Sequence, residues 1–347
     1  MDYFRANIEA ASGYEPGFQP QGLDVVKLNT NENPYPPSPE VLKSLAGIEA
    51  EQLRRYPDPL GNRFRDAAAE LNGVERENII CCNGGDDLLR IAVQCFCDEK
   101  RLLAYPVPTY SLYPVLGSLQ NCKTIEVRFD KRFNLPGKLA ATNATLTIVC
   151  NPNAPSGTII PCDELAKLAG AIRGVLLIDE AYVDFAEDNC VSLAKRFSNV
   201  IILRSMSKGY SLAGLRFGYG IADKSLIAGL MKAKDSYNVN SVSVAAATVA
   251  IKDQGYFRKN IEKVVKQRRR LRQELEELGF EMLPSSTNFI LVRHKQAEAV
   301  EIHKELMQKS IYVRYFDYPG LRDKLRITVG AKKQNDRLVA SLVEILS

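Results

Sequence analysis

From about residue 60, short apolar runs alternate with helical periods, and few folds accept that rhythm. The runs are NIICC, RLLAY, KTIEVRF, TLTIVC, VLLID, NVIILR and FGYGIA, with stretches such as DDLLRIAVQCF and PCDELAKLAGAI between them. Strands joined by helical crossovers lie parallel, so the pattern predicts an α/β unit: a mostly parallel sheet with helices on both faces. Near residue 240 the strands stop. A charged helical stretch from about Tyr256 to Leu278 follows and ends at Gly279, a C-cap signal. NFILVR, a helix from about Gln296 to Gln308, IYVRY, KLRITVG and a last helix then build a smaller α/β unit. The first 35 residues are rich in Gly, Pro, Asn and Tyr and read as an extended arm with turns. The expected division is an arm at 1–35, a large domain at 36–240, and a small C-terminal domain at 241–347 that packs with the N-terminal segment.

Composition removes whole classes. With 347 residues, 46% hydrophobic and 25% charged, the chain can bury the core of about two domains. Its 46 Lys and Arg against 41 Asp and Glu leave +5, too small and too dispersed an excess to predict nucleic acid. The basic run KVVKQRRRLR is followed on the same helix by Glu274, Glu276 and Glu277 and reads as a solvated face. No apolar run reaches the 18 or so residues of a membrane span. The eight cysteines, at 81, 82, 95, 97, 122, 150, 162 and 190, form no CxxC pair, and only two histidines accompany them. No metal site is expected. Because MDYFRANIEA is not a signal peptide, the chain is expected in the cytoplasm, with its thiols free and buried and no disulfides.

The chemistry concentrates behind two strands. In VLLIDEAYVDF an apolar strand delivers Asp179 and, three residues on, Tyr182. Alone, an aspartate there is a turn residue; ligands of α/β proteins, however, gather at carboxyl ends of parallel strands. The next strand leads into RSMSKGYSLAGLRFGYG, which sets Ser205, Ser207, Lys208 and Arg216 among small residues. A lysine able to lose its proton attacks carbonyls, and pyridoxal phosphate (PLP) chemistry pairs such a lysine with an acid for the ring nitrogen. Lys208 and Asp179 supply that pair. CCNGGDDLLRIA adds a strand, two glycines and a helix start at Gly85 and Asp86, the build of a phosphate cup. One GG before a helix is a weak signal, but Ser205, Ser207 and Arg216 independently offer donors to one phosphate.

On these residues the chain resembles the fold type I PLP-dependent aminotransferases, class I and II, of the aspartate aminotransferase superfamily, and among them the histidinol-phosphate aminotransferases. Nine segments in order carry the resemblance nearly end to end: YEPG (14–17), LNTNENPYPPSP (28–39), RRYPDP (54–59), NGGDDLL (83–89), PTYSLY (108–113), NPNAPSG (151–157), DEAY (179–182), SMSKGYSLAGLRFG (205–218) and LRITVG (325–330). The resemblance implies that Lys208 holds PLP covalently and moves the proton, that Asp179 keeps the ring nitrogen protonated, and that Tyr182 bonds the ring hydroxyl. It implies that Tyr110 stacks on the ring and that Tyr56 reaches the cofactor phosphate of the second subunit of a homodimer. The family asparagine that touches the ring hydroxyl is here Ala154, so the contact is expected from Asn153, with Asn151 or Tyr182 alone as alternatives. Arg326 matches the arginine that binds the carboxylate of glutamate or 2-oxoglutarate. Arg314, Arg326 and Tyr14 match positions that recognise a substrate phosphate, with Asn33 in the lining. The implied reaction exchanges an amino group between L-histidinol phosphate and 2-oxoglutarate. A threonine-phosphate decarboxylase and an aromatic aminotransferase share the fold and are the rivals; a non-enzymatic regulator would have no reason to keep Lys208, Asp179, Tyr182 and Arg216 together.

Overall fold

A computed structural model describes residues 3–22 and 24–347; of the expected arm, residues 1, 2 and 23 lie outside the described residues. The described strands are β1 (Val26–Leu28), β2 (Ile79–Cys82), β3 (Leu103–Val107), β4 (Thr124–Arg128), β5 (Leu146–Cys150), β6 (Val175–Asp179), β7 (Val200–Ser205), β8 (Gly218–Ala222), β9 (Phe280–Met282), β10 (Phe289–His294), β11 (Ile311–Tyr315) and β12 (Leu325–Thr328). Among them two sheets form. The larger runs β2-β8-β7-β6-β5-β3-β4. All its neighbours pair in parallel except β8, which runs antiparallel to both β2 and β7.

The expected mostly parallel sheet is therefore present, and its packing follows from the sequence. Strands buried on both faces must be apolar at every position. In β6, Leu176 and Ile178 enter one core with the helices Asn62–Asn72, Cys162–Ala171 and Ser241–Lys252, while Leu177 enters the opposite core with Gly85–Phe96 and Lys224–Ala233. Truncating any one of these leucines to alanine costs about 2–5 kcal/mol.

The smaller sheet runs β1-β11-β12-β10-β9, with β1 parallel to β11 and the remaining pairs antiparallel. Helices Gln254–Glu277, Ala299–Gln308 and Lys332–Leu346 cover it through Val264, Leu271, Leu275, Ile302, Leu306, Leu338 and Leu342.

Two expectations change. The arm is not wholly irregular: it holds a short helix, Ala6–Glu9, and gives β1 to the small sheet. Helix Ser241–Lys252 packs on helices Pro39–Ala46 and Asn62–Asn72 and puts Ala246, Ala247, Ala250 and Ile251 into the large sheet's core. Cys162 and Cys190 are joined in a disulfide with their Cα atoms 5.6 Å apart, against the expectation of free thiols throughout; the other six cysteines are free. Apolar flanks mark a cysteine for burial but do not say which other cysteine the fold will bring beside it. Among the described residues no helix is long and apolar enough to cross a membrane.

Candidate active site

Parallel strands end with carbonyls and side chains facing one rim, and three adjacent strands deliver the chemistry there. Asp179 closes β6, in register with Cys150 of β5 on one side and Leu203 of β7 on the other. It is buried, and both its oxygens are held: Oδ1 accepts from the Ala181 amide at 3.0 Å and Oδ2 from the Tyr113 hydroxyl at 2.8 Å. Burial pushes its carboxyl up to about 6, although the bond from Tyr113 works against the shift. A carboxylate in that state is poised to take a charged hydrogen-bond partner, such as a protonated ring nitrogen.

Lys208 follows β7 by three residues. Its Nζ donates to the Thr30 carbonyl at 3.1 Å and lies 5.8 Å from the centre of the Tyr182 ring. Burial lowers its pKa to about 8, with Arg326 and Arg216 adding positive field and Glu32 and Asp86 opposing them. At pH 7 about a tenth of such amines are neutral, which makes Lys208 a usable nucleophile. The loop carrying it is braced from behind. Buried Glu180 pairs with Arg204 at 2.7 Å and accepts from the Cys190 amide, and Asp184 accepts from the Gly209 amide. A Cβ at 209 would collide with the Asp184 carboxylate, so only glycine lets the loop lie this close.

The anion end of the site is built where β2 turns into the helix Gly85–Phe96. Gly84 sits at φ +83, and a Cβ there would lie 2.7 Å from Arg216 Nη2. Arg216, itself at φ 50, donates to Ser207 Oγ at 3.4 Å and pairs with Asp86 at 3.3 Å; Ser205 Oγ accepts from the Ser207 amide at 3.2 Å. Gly85, Asp86, Ser205, Ser207 and Arg216 are thus gathered at one helix start. Asp86 differs in kind: its carboxylate takes the Arg216 guanidinium and the Tyr110 hydroxyl (3.2 Å), so a bound phosphate would compete with it for Arg216.

Across this rim stand groups of the arm and the small sheet. Arg314 and Arg326 are register partners on β11 and β12. Arg326 donates through Nη2 to the Asn29 carbonyl at 2.9 Å, and its buried Nε has no partner. An unmatched guanidinium N–H in a buried position is an open donor for an anion. Tyr14 meets Tyr110 edge-on at 5.8 Å, and a Cβ on Gly17 would lie 3.6 Å from Arg314 Nη1, so the arm runs over the arginines.

Four further expected residues have these partners within the chain. Asn153 uses its amide on Thr109 (2.9 Å), Pro108 (3.2 Å) and Ser156 (2.9 Å), fastening two loops together, and Asn151 bonds both backbone groups of Ile160. The Tyr182 phenol oxygen accepts from Asn31 Nδ2 at 3.0 Å. Asn33 is fastened to the lysine loop: its Nδ2 donates to the carbonyls of Lys208 (3.2 Å) and Gly209 (3.1 Å). Tyr56 is 80% exposed and stacks on Tyr237 with ring centres 4.4 Å apart, on the outside of this chain. Tyr113, Thr30 and Asn31 escaped the sequence reading. Tyr113 stands one helical turn after Tyr110, a spacing that could have flagged it; nothing local flags the other two.

The site as a whole gathers a buried amine, a buried carboxyl, a phenol, and guanidinium groups at two separate places, Arg216 at one and Arg314 with Arg326 at the other. A family model described as aminotransferase class I and II matches residues 23–342. A histidinol-phosphate aminotransferase 1 of Nostoc sp. is 46% identical over 99% of this chain and 98% of its own length. The histidinol-phosphate aminotransferase of Microcystis aeruginosa is 40% identical, covering 98% and 97%. Among solved structures, a histidinol-phosphate aminotransferase from Sinorhizobium meliloti in complex with pyridoxal-5'-phosphate superposes with a TM-score of 0.91 at 26% identity, covering 100% of this chain and 98% of that one.

Proposed function

This chain belongs to the class I and II aminotransferase family, and from that membership we propose that it interconverts L-histidinol phosphate plus 2-oxoglutarate with imidazole-acetol phosphate plus L-glutamate, a step of histidine biosynthesis. The observation that carries the reading is the pairing of two anion cradles with one depressed lysine. One cradle, at Gly85, Ser205, Ser207 and Arg216, fits the phosphate of PLP; the other, at Arg314 and Arg326, fits a substrate anion.

The residues present fit PLP at each end. Asp179 is a buried acid with room in its hydrogen bonding for a ring N–H, Lys208 is an amine that burial keeps partly neutral, and the Gly84–Gly85 turn leaves backbone space beside Arg216. Bound there, PLP supplies an electron sink for the charge left when a substrate Cα loses its proton. Lys208 is the group placed to take that proton and to return it. Asp179 keeps a positive ring nitrogen favourable in a buried setting, which is what the sink requires. Tyr182 would offer its phenol to the ring hydroxyl, and the Tyr110 ring would pack against the cofactor. Arg326, with a free buried Nε, takes the carboxylate of glutamate in one half-reaction and shares the substrate phosphate with Arg314 in the other; two planar guanidinium forks suit phosphate oxygens. Tyr14, against Tyr110, covers that end.

We further infer a cytoplasmic homodimer. The exposed Tyr56–Tyr237 stack, with Leu53 beside it in sequence at 63% exposure, supports a protein neighbour there. Sedimentation at micromolar concentration tests it, and a monomer would remove Tyr56 from the site.

The test of the reaction is the visible spectrum of the purified protein with each substrate in turn. Conversion of the cofactor band to the pyridoxamine form by L-histidinol phosphate and by glutamate is expected. Conversion by phenylalanine but not histidinol phosphate would move the reading to the aromatic aminotransferases, and carbon dioxide release from O-phosphothreonine would make the chain a decarboxylase.

A further inference from the structure

We propose that Asn31 is the positioning residue of the Tyr182 phenol, and that through it the small sheet holds one of the groups that meet the cofactor. The proposal rests on the PLP reading above.

Asn31 is 1% exposed and sits at φ 59, a left-handed conformation that asparagine tolerates better than most residues. Every polar group it has is used. Its N–H donates to Thr328 Oγ1 at 3.0 Å, its Oδ1 accepts from the same hydroxyl at 3.0 Å, and its carbonyl accepts from Asn288 Nδ2 at 2.8 Å. With Oδ1 committed to Thr328, the Nδ2 end of the amide faces Tyr182, 3.0 Å from the phenol oxygen.

The direction of that last bond matters. An amide NH₂ only donates, so the phenol oxygen is an acceptor towards Asn31 and its single hydrogen is free to point elsewhere. Asn31 therefore does more than occupy space. It turns the Tyr182 hydroxyl into a directed donor, the state in which it stabilises an ionised ring oxygen. Burial raises the phenol's pKa to about 12, while Arg326 and the Asn31 bond pull it down. On either side of Asn31 the same strap touches the lysine: the Thr30 carbonyl accepts from Lys208 Nζ, and Asn33 holds the Lys208 carbonyl. The anchor of the strap is in the small unit, at Thr328 of β12 and Asn288 just before β10.

The experiment titrates the visible band of the PLP-loaded protein with pH in wild type, Asn31→Ala, Asn31→Asp, Thr328→Val and Tyr182→Phe, and measures PLP affinity by reconstituting the cofactor-free forms. Wild type must show the band, fixed on Lys208 by borohydride; its absence would overturn the PLP reading and this inference with it. Asn31→Ala is expected to move the midpoint upward by about 0.5–1 pH unit, the size of one net hydrogen bond, in the same direction as Tyr182→Phe. Asn31→Asp keeps the shape but can only accept, so it recaptures the phenol hydrogen and gives at least the shift of the alanine variant. Thr328→Val loosens the anchor without touching Tyr182 and is expected to give a smaller shift of the same sign, which keeps the test sound if an Asn31 variant does not fold. A band present in wild type that stays in place in Asn31→Ala and Thr328→Val, yet moves in Tyr182→Phe, would overturn this inference alone.

Discussion

The two rims of the site are built by different means. On the large-sheet rim, Asp179, Ser205, Ser207 and Lys208 come from the ends of two adjacent parallel strands, within a span of 30 residues in the chain. On the opposite rim, Asn31, Arg314 and Arg326 come from the arm and from strands near the far end of the chain. The first rim is rigid because each strand is locked on both sides; the second depends on β1 joining β11 and on a few side-chain bonds to Asn29 and Asn31. On the proposed reading, the groups that would perform the chemistry sit on the first rim and those that would select the substrate sit on the composite one.

The sharpest break between the rims would be made at Lys208. Replacing it with alanine is expected to lower turnover by on the order of 10⁴ while circular dichroism and the unfolding midpoint stay near wild type; retained activity would refute the assignment. Asp179→Asn comes next. Turnover falls by on the order of 10²–10³, since an amide cannot hold a protonated ring nitrogen. The cofactor-free protein should move the other way. A carboxyl raised from 3.8 to about 6 contributes stability that is complete below about pH 4 and lost as the pH rises through 6. Removing the charge should therefore stabilise the cofactor-free form at pH 7.5 by up to about 3 kcal/mol and much less at pH 4, read by urea unfolding. On the other rim, Arg314→Ala is expected to raise KM for the phosphorylated substrate by about 10- to 100-fold, with little change in the glutamate half-reaction. Equal damage to both halves would erase the division of labour drawn here. The smallest catalytic effect belongs to Cys162→Ser: kcat unchanged, and a loss of about 3 kcal/mol in stability under oxidising conditions that a dithiol reductant reproduces in wild type.

The same contrast decides what the sequence discloses. Strands buried on both faces are written as unbroken apolar runs, so VLLID and NVIILR announce themselves, and the residues at their ends inherit a position. Lys208, Asp179 and Arg216 could be found that way before any resemblance was invoked. Arg314 and Arg326 could not, because an arginine at a strand edge is ordinary until its neighbours are known. β1 was missed for a related reason: VKL is three residues in a stretch of Gly, Pro and Asn, and it is a strand only because β11 lies beside it. Helix Ser241–Lys252 carries no mark of the helices it packs against, which end at Ala46 and Asn72, so its place in the large sheet's core is not legible locally. The partner of the Tyr182 phenol is fixed by a bond between residues 31 and 182 that no local pattern encodes.

The pairing of Val26 with Ile311 also sets an order of assembly. A chain leaving the ribosome from its N-terminus can complete the large sheet once β8 has emerged at Ala222, since β2 then has its neighbour. β1 has by that time waited through the synthesis of the whole large sheet and must go on waiting until β11 is made. Closing a loop that long costs little more free energy than closing a shorter one, but it is slow. The nascent protein should thus pass through a stage in which the rim of Asp179 and Lys208 is folded and the rim of Arg314 and Arg326 does not yet exist.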